Sequence, residues 1–226
     1  MPTASLERID SRPELSQQVY QQLLVAICEG KLAPGARVTQ EELAASLNVS
    51  RQPVHQALRL LKNEGFLVDA GRRGLMVAPL DGAALEQLYQ VRGVLDGLAA
   101  RLAALRGAKL DTALITQGRK AEAAGRIGAM IEADMRFHQC VYVASGNPLI
   151  AQTAGRQLQH IARAMGAMLS RQSMHGPIWD EHEAILAAIN AGDAAKAEAL
   201  ARRHCEGAGK TLSTQLQATI QRKASR

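Results

Sequence analysis

Aromatic residues are scarce in this chain: three Tyr, two Phe and one Trp among 226 residues, 3% of the total. The hydrophobic 47% is carried instead by Ala, Leu and other helix formers, which excludes a β-sandwich and points to a mainly α chain. Cysteine is also sparse. Cys28, Cys140 and Cys205 are odd in number and form no CxxC pair, so neither a disulfide framework nor a zinc ribbon is indicated. No apolar run approaches the length of a membrane span, and the opening MPTASLERIDSRPELSQQ carries acids and lacks the apolar core of a signal peptide. A cytoplasmic protein with no membrane partner is expected. The length suits two domains, each able to bury a core.

The net charge of +6 and pI near 9.5 invite a nucleic-acid reading, but the excess is uneven. Residues 1–78 hold nine Lys/Arg and eight Asp/Glu, residues 79–201 twelve of each, and residues 202–226 six against one. A nucleic-acid argument must therefore rest on a local patch, and residues 51–74 hold five Lys/Arg against two acids.

That patch contains SRQPVHQALRLLKNEGFL, residues 50–67. Ser50 is a favourable N-cap, Pro53 is tolerated in the first turn, and Gly65 supplies the stop, which predicts a helix from about Arg51. Val54, Ala57, Leu58 and Leu61 form its core-facing stripe, while Gln52, His55, Gln56, Arg59 and Asn63 fall opposite. Taken alone, that polar side is better read as an ordinary solvated face. Its neighbours change the reading. An amphipathic helix over residues 15–30 comes first, then a Pro-Gly turn, then a capping box at Thr39-Gln40-Glu41-Glu42 that opens a short helix. Asn48-Val49-Ser50 leaves room only for a tight turn. Helix, tight turn and second helix is the helix-turn-helix layout, in which the second helix enters the DNA major groove. FLVDAGRRGLMV then predicts a small β-hairpin wing.

From residue 79 to 226 helical periodicity is almost continuous, with breaks near Gly107, Gly125 to Gly128, Ser145 to Pro148, His175 to Pro177 and Gly192. About six helices are predicted. Ionisable residues interrupt three inward stripes: Asp134 and His138 after Ile127, Met130 and Ile131; His182 among Ile178, Ile185 and Ile189; His204 among Ala197, Ala201 and Ala208. Each alone reads better as a hydrogen-bonded core residue. Together, an Asp and a His four apart on one helix face and two His from other helices make a three-nitrogen, one-carboxylate set suited to a divalent ion such as Zn²⁺, Mn²⁺ or Ni²⁺.

With GKLAPG, ELAASLNVSRQPVHQALRLLKNEGFL and GRRGLMV in continuous order, residues of roughly 15 to 80 resemble the GntR superfamily of bacterial transcription regulators. VRGVLDGLAARLAA, DMRFHQCVYVASGNPLI and EHEAILAAINAGDAAKAEALARRH resemble the FCD effector domain of its FadR-type members. The resemblance implies a winged helix-turn-helix domain over 1–78 and an all-α metal- and ligand-binding, dimerising bundle over 79–226. By carry-over, Ser50, Arg51, Gln52 and His55, with Gln56 and Arg59 on the same side, face double-stranded operator DNA, and Arg72 and Arg73 of the wing reach the minor groove or its phosphates. Asp134, His138, His182 and His204 match the four metal positions of the family, and Arg92 the place of an Arg that binds an effector carboxylate. His160 and His175 match no ligand position and read as surface or loop residues. There are departures. His55-Gln56 stands where Arg-Glu is common, and Glu41 where some relatives have Arg. Asp96-Gly97 replaces a usual Glu, a change expected to enlarge or reshape the pocket.

The expected function is a homodimeric, ligand-responsive regulator, a repressor of an inverted-repeat operator, sensing a small organic acid at a metal site. A helical metalloenzyme or metal-binding protein with an accessory N-terminal module is the competing reading. Against an enzyme stands the expectation that no further inward carboxylate serves as a general base.

Overall fold

The computed structural model describes residues 13–71, 74–169 and 178–224. The chain forms two compact units: one ends at Ala78 but omits Cys28–Pro34, and the other takes that segment together with the chain from Pro79.

In the first unit, α1 (Pro13–Cys28), α2 (Gln40–Leu47) and α3 (Arg51–Asn63) are joined by a small sheet of β1 (Arg37–Val38), β2 (Leu67–Asp69) and β3 (Leu75–Val77). The wing hairpin pairs Leu67 with Val77 and Asp69 with Leu75. A third strand, not anticipated, adds Arg37 opposite Met76 and Val38 opposite Leu75, giving the antiparallel order β1-β3-β2. Two residues are too few for alternation to announce a strand.

Local chemistry sets the turn between α2 and α3. Thr39 Oγ1 accepts from the Glu42 amide at 3.2 Å and donates to the Glu42 carboxylate at 2.8 Å, closing the capping box through the side chains. Asn48 takes a left-handed conformation at φ 50°, and Val49 N donates back to Ala44 O, so α2 ends within one residue. Ser50 has the extended backbone of an N-cap but makes no side-chain cap bond, contrary to expectation. At the far end of α3, Gly65 at φ 79° allows Phe66 N to donate to Leu61 O at 2.8 Å. Val54, Ala57, Leu58 and Leu61 are buried as the stripe requires.

The second unit contains six described helices: α4 (Gly82–Leu105), α5 (Ala113–Ala123), α6 (Ile127–Ala144), α7 (Pro148–Leu169), α8 (Ile178–Ala191) and α9 (Ala194–Ala224). Asp81 caps α4 by accepting from the Ala83 amide. One apolar cluster joins Ala99, Ala103, Phe137, Val141, Leu158, Trp179 and Ile189, and another joins Leu85, Ile161, Met165, Leu212 and Leu216. The ionisable cluster draws on α4, α6, α8 and α9. Gly97 does not open the pocket, as its sequence context led us to expect. A Cβ there would lie 2.7 Å from Arg202 Cγ, so the missing side chain lets α9 approach α4. Among the described residues, no helix is long and apolar enough to cross a membrane.

Candidate metal centre and DNA-facing surface

The inward stripes of α6, α8 and α9 converge. His182 Nε2 lies 3.2 Å from His204 Nε2 and 3.6 Å from Asp134 Oδ1, and His138 Nε2 lies 3.8 Å from the same oxygen. One nitrogen from each of the three His falls within 4.8 Å of the others. Ligand atoms held about 2.0–2.2 Å from a common ion are themselves roughly 3–4 Å apart, so this donor set fits a divalent cation. All four residues are buried. His138 Nε2 has no hydrogen-bond partner despite its burial, a cost that coordination would remove.

The rings are held from behind. His138 Nδ1 is 3.1 Å from Asp96 Oδ2 and His204 Nδ1 is 2.7 Å from Glu181 Oε2, so each Nδ1–H donates to a carboxylate and each Nε2 keeps its lone pair. His182 is clamped by Phe137, stacked at 4.2 Å between centroids, and by Trp179 edge-on at 4.9 Å. Burial pushes the His138 and His182 pKa values down, with Arg92 contributing to both and the neighbouring His to the second. Both rings are therefore neutral, the form that binds a metal.

Asp96 joins this centre to Arg92. Its Oδ2 accepts from Arg92 Nε at 3.2 Å and Cys205 Sγ at 3.0 Å as well as from His138, and Tyr142 donates to its Oδ1. Burial alone would raise the Asp96 carboxyl, but Arg92, His138 and Tyr142 hold it well below the usual carboxylate range. Asp96 is thus a further inward carboxylate. Its four donors leave it no role as a free base. The spacing Arg92 to Asp96 signals the ion pair, but its contact with His138 depends on how α4 packs against α6. Glu181 also went unrecognised, although it precedes His182 directly.

A cavity of about 200 Å³ adjoins the centre, lined by Arg92, Asp134 and His204 together with Tyr89, Met165 and Leu212, among others. Arg92 is 1% exposed, and one of its terminal guanidinium nitrogens has no partner. His160 belongs to α7 and is half-buried rather than a surface or loop residue, because α7 continues through it without a break. His175 lies outside the described residues.

In the first unit Ser50, Arg51, Gln52, His55, Gln56 and Arg59 are all exposed on one side of α3 or at its start. Arg51 pairs with Glu41 at 3.0 Å, and its carbonyl accepts from Gln40 Nε2 at 2.6 Å, tying α2 to α3. Arg72 and Arg73 lie outside the described residues.

Residues 15–77 match the family described as bacterial regulatory proteins, gntR family, and residues 87–207 match the FCD domain. The chain is 31% identical over 193 residues to an HTH-type transcriptional regulator in an unstable DNA locus of Streptomyces ambofaciens, covering 83% of this chain and 80% of the other. It is 29% identical to the HTH-type transcriptional regulator LutR of Bacillus subtilis, covering 86% of this chain and all of LutR. The E. coli McbR/YncC structure shares the fold with a TM-score of 0.78 at 22% identity, over 89% of this chain and 98% of that one. The two HTH-type relatives are regulators of transcription rather than enzymes, and the chain belongs to the GntR family of DNA-binding bacterial regulatory proteins, as a member with an FCD domain.

Proposed function

We propose that this protein is a cytoplasmic, homodimeric repressor that binds an inverted-repeat operator through residues 1–78 and senses a small organic acid at a divalent metal in residues 79–226. One observation carries the sensing half: three His nitrogens and the Asp134 carboxylate converge beside a cavity that Arg92 lines with an unpartnered guanidinium nitrogen. Asp134, His138, His182 and His204 would hold the ion, which would supply Lewis-acid attraction for a carboxylate or hydroxyl oxygen. Arg92 orients that anion, and the pull of Asp96 on its Nε fixes the guanidinium plane.

At the DNA, Arg51, Gln52 and His55 of α3 read base edges in the major groove, and Ser50, Gln56 and Arg59 contact the backbone nearby. Arg72 and Arg73 supply phosphate or minor-groove contacts from the wing. Twofold symmetry doubles the few base pairs that one recognition helix reads. The effector acts only through its different affinity for two arrangements of the dimer, a coupling of about 1–3 kcal/mol. The test is metal analysis of the purified protein with operator binding to DNA flanking its own gene. About one divalent ion per chain, lost in His182→Ala, and retarded operator DNA are expected. A chain that takes up no divalent ion removes the metal from this reading, and one that never retards the DNA removes the operator.

A further inference from the structure

Resting on the carboxylate-effector reading above, we infer that the cavity selects a monocarboxylate with a compact hydrocarbon body, against dicarboxylates and polyhydroxy acids. The polar lining is concentrated at one cluster. Asp134 and His204 belong to the donor set, and Arg92 reaches that set through Asp96 and His138. Of the remaining described lining, Met165 of α7, Ile178 of α8, and Ala208 and Leu212 of α9 are hydrocarbon, Tyr89 of α4 adds a ring with one hydroxyl, and Thr211 of α9 already donates its hydroxyl to Gly207 O. Tyr89, Met165 and Leu212 are themselves buried. A hydroxyl-rich body would exchange its water for these walls with little in return, since hydroxyls buried without partners are penalised.

Charge points the same way. Arg92 is the only Lys or Arg among the described lining residues. Arg92 and a divalent ion bring three positive charges, and Asp96, Asp134 and Glu181 bring three negative ones. A ligand with one carboxylate adds a single charge to a balanced site. A second carboxylate would meet Glu181, a carboxylate that also lines the cavity and is held against His204 Nδ1. Size fits as well. An apolar cavity of about 150 Å³ takes benzene, so the 200 Å³ here has room for a small acid body of roughly that size.

The test uses full-length protein loaded with Zn²⁺, thermal shift and calorimetric titration, and a panel of single acids. Benzoate and isovalerate are expected to bind and raise the melting temperature, and succinate and glycerate, of similar size, to do neither. Along acetate, propionate, butyrate and isovalerate, affinity is expected to rise about three- to fourfold per added carbon, the increment of a buried methylene. This series needs no variant of the apolar wall. Arg92→Gln should abolish the benzoate response, and benzoate should leave the zinc content unchanged. If succinate or glycerate binds in an Arg92-dependent way and the aliphatic series is flat, the hydrocarbon body is wrong while the carboxylate site stands. If none of these acids binds the zinc-loaded protein, both readings fall.

Discussion

His138 Nδ1 and Asp96 Oδ2 are 3.1 Å apart, and that oxygen also accepts from Arg92 Nε at 3.2 Å. One carboxylate therefore orients a candidate metal donor and a candidate anion binder at once. Asp96→Asn keeps the shape but removes the charge that balances buried Arg92. Loss of one partner from a buried pair costs on the order of 3–5 kcal/mol, to be read from denaturant unfolding. Loss of a carboxylate behind a His ligand weakens metal binding by roughly 10–100-fold, to be read by competition with a chelator. Unchanged metal affinity in Asp96→Asn would mean that the carboxylate does not orient His138.

Acid should empty the centre. His138 and His182 titrate below the ordinary His value, because burial disfavours their cations. The unfolded chain, with ordinary His near pH 6.5, takes up these protons first as pH falls. Stability from the two neutral rings is thus full above about pH 6.5 and is lost as pH drops toward their depressed values. Protons compete with the metal for the same nitrogens, so metal loading should decline over the same range. The check is melting temperature against pH with and without zinc: the zinc-dependent increment should shrink on acidification. An increment that grows as pH falls below 6.5 would contradict neutral His donors.

Much of this was legible from spacing. The stripe Val54, Ala57, Leu58 and Leu61 is buried because a 3.6-residue period allows little else for an amphipathic helix against a core. Asp134 and His138 share a face because they are four apart. What spacing could not give was the rotation of one helix against another. Asp96 meets His138 across α4 and α6, and Glu181, adjacent in sequence to His182, turns away from it and reaches the His204 ring on α9. Gly97 looked like a widened pocket because a small residue in a list has no direction, whereas in the fold it faces Arg202. The short strand β1 took its identity from its partner β3, not from its own two residues.

Chelation should destabilise the second unit. A ligand that binds only the folded state adds RT ln(1 + [L]/Kd), about 4 kcal/mol at a thousandfold excess over Kd. Stripping the ion also leaves Asp134 buried without the cation that it would help to hold. A clear fall in melting temperature on chelation, reversed by zinc and absent in His204→Ala, is the expected result. Identical melting of treated and untreated wild type would leave the four residues as buried core groups that hold no metal.

The last prediction concerns the 3.0 Å ion pair between Arg51 and Glu41 at the N-terminal end of α3. Both side chains are about two-thirds exposed, so the pair adds at most about 1 kcal/mol to folding. Its consequence lies at the operator. Arg51 must leave Glu41 to reach a base or phosphate, and the Glu41 carboxylate stays near a polyanion. Arg51→Ala should therefore cost about 1–3 kcal/mol of operator binding, and Glu41→Gln should strengthen binding, by no more than about fivefold given what such exposed pairs are worth. If the gain comes from freeing Arg51, it shrinks in the double variant, since contacting residues are not additive. Fluorescence anisotropy at fixed salt on wild type, both single variants and the double variant gives the cycle directly. Equal affinity of wild type and Arg51→Ala would remove Arg51 from the interface. A Glu41→Gln gain undiminished in the Arg51→Ala background would assign the effect to phosphate repulsion and not to the pair.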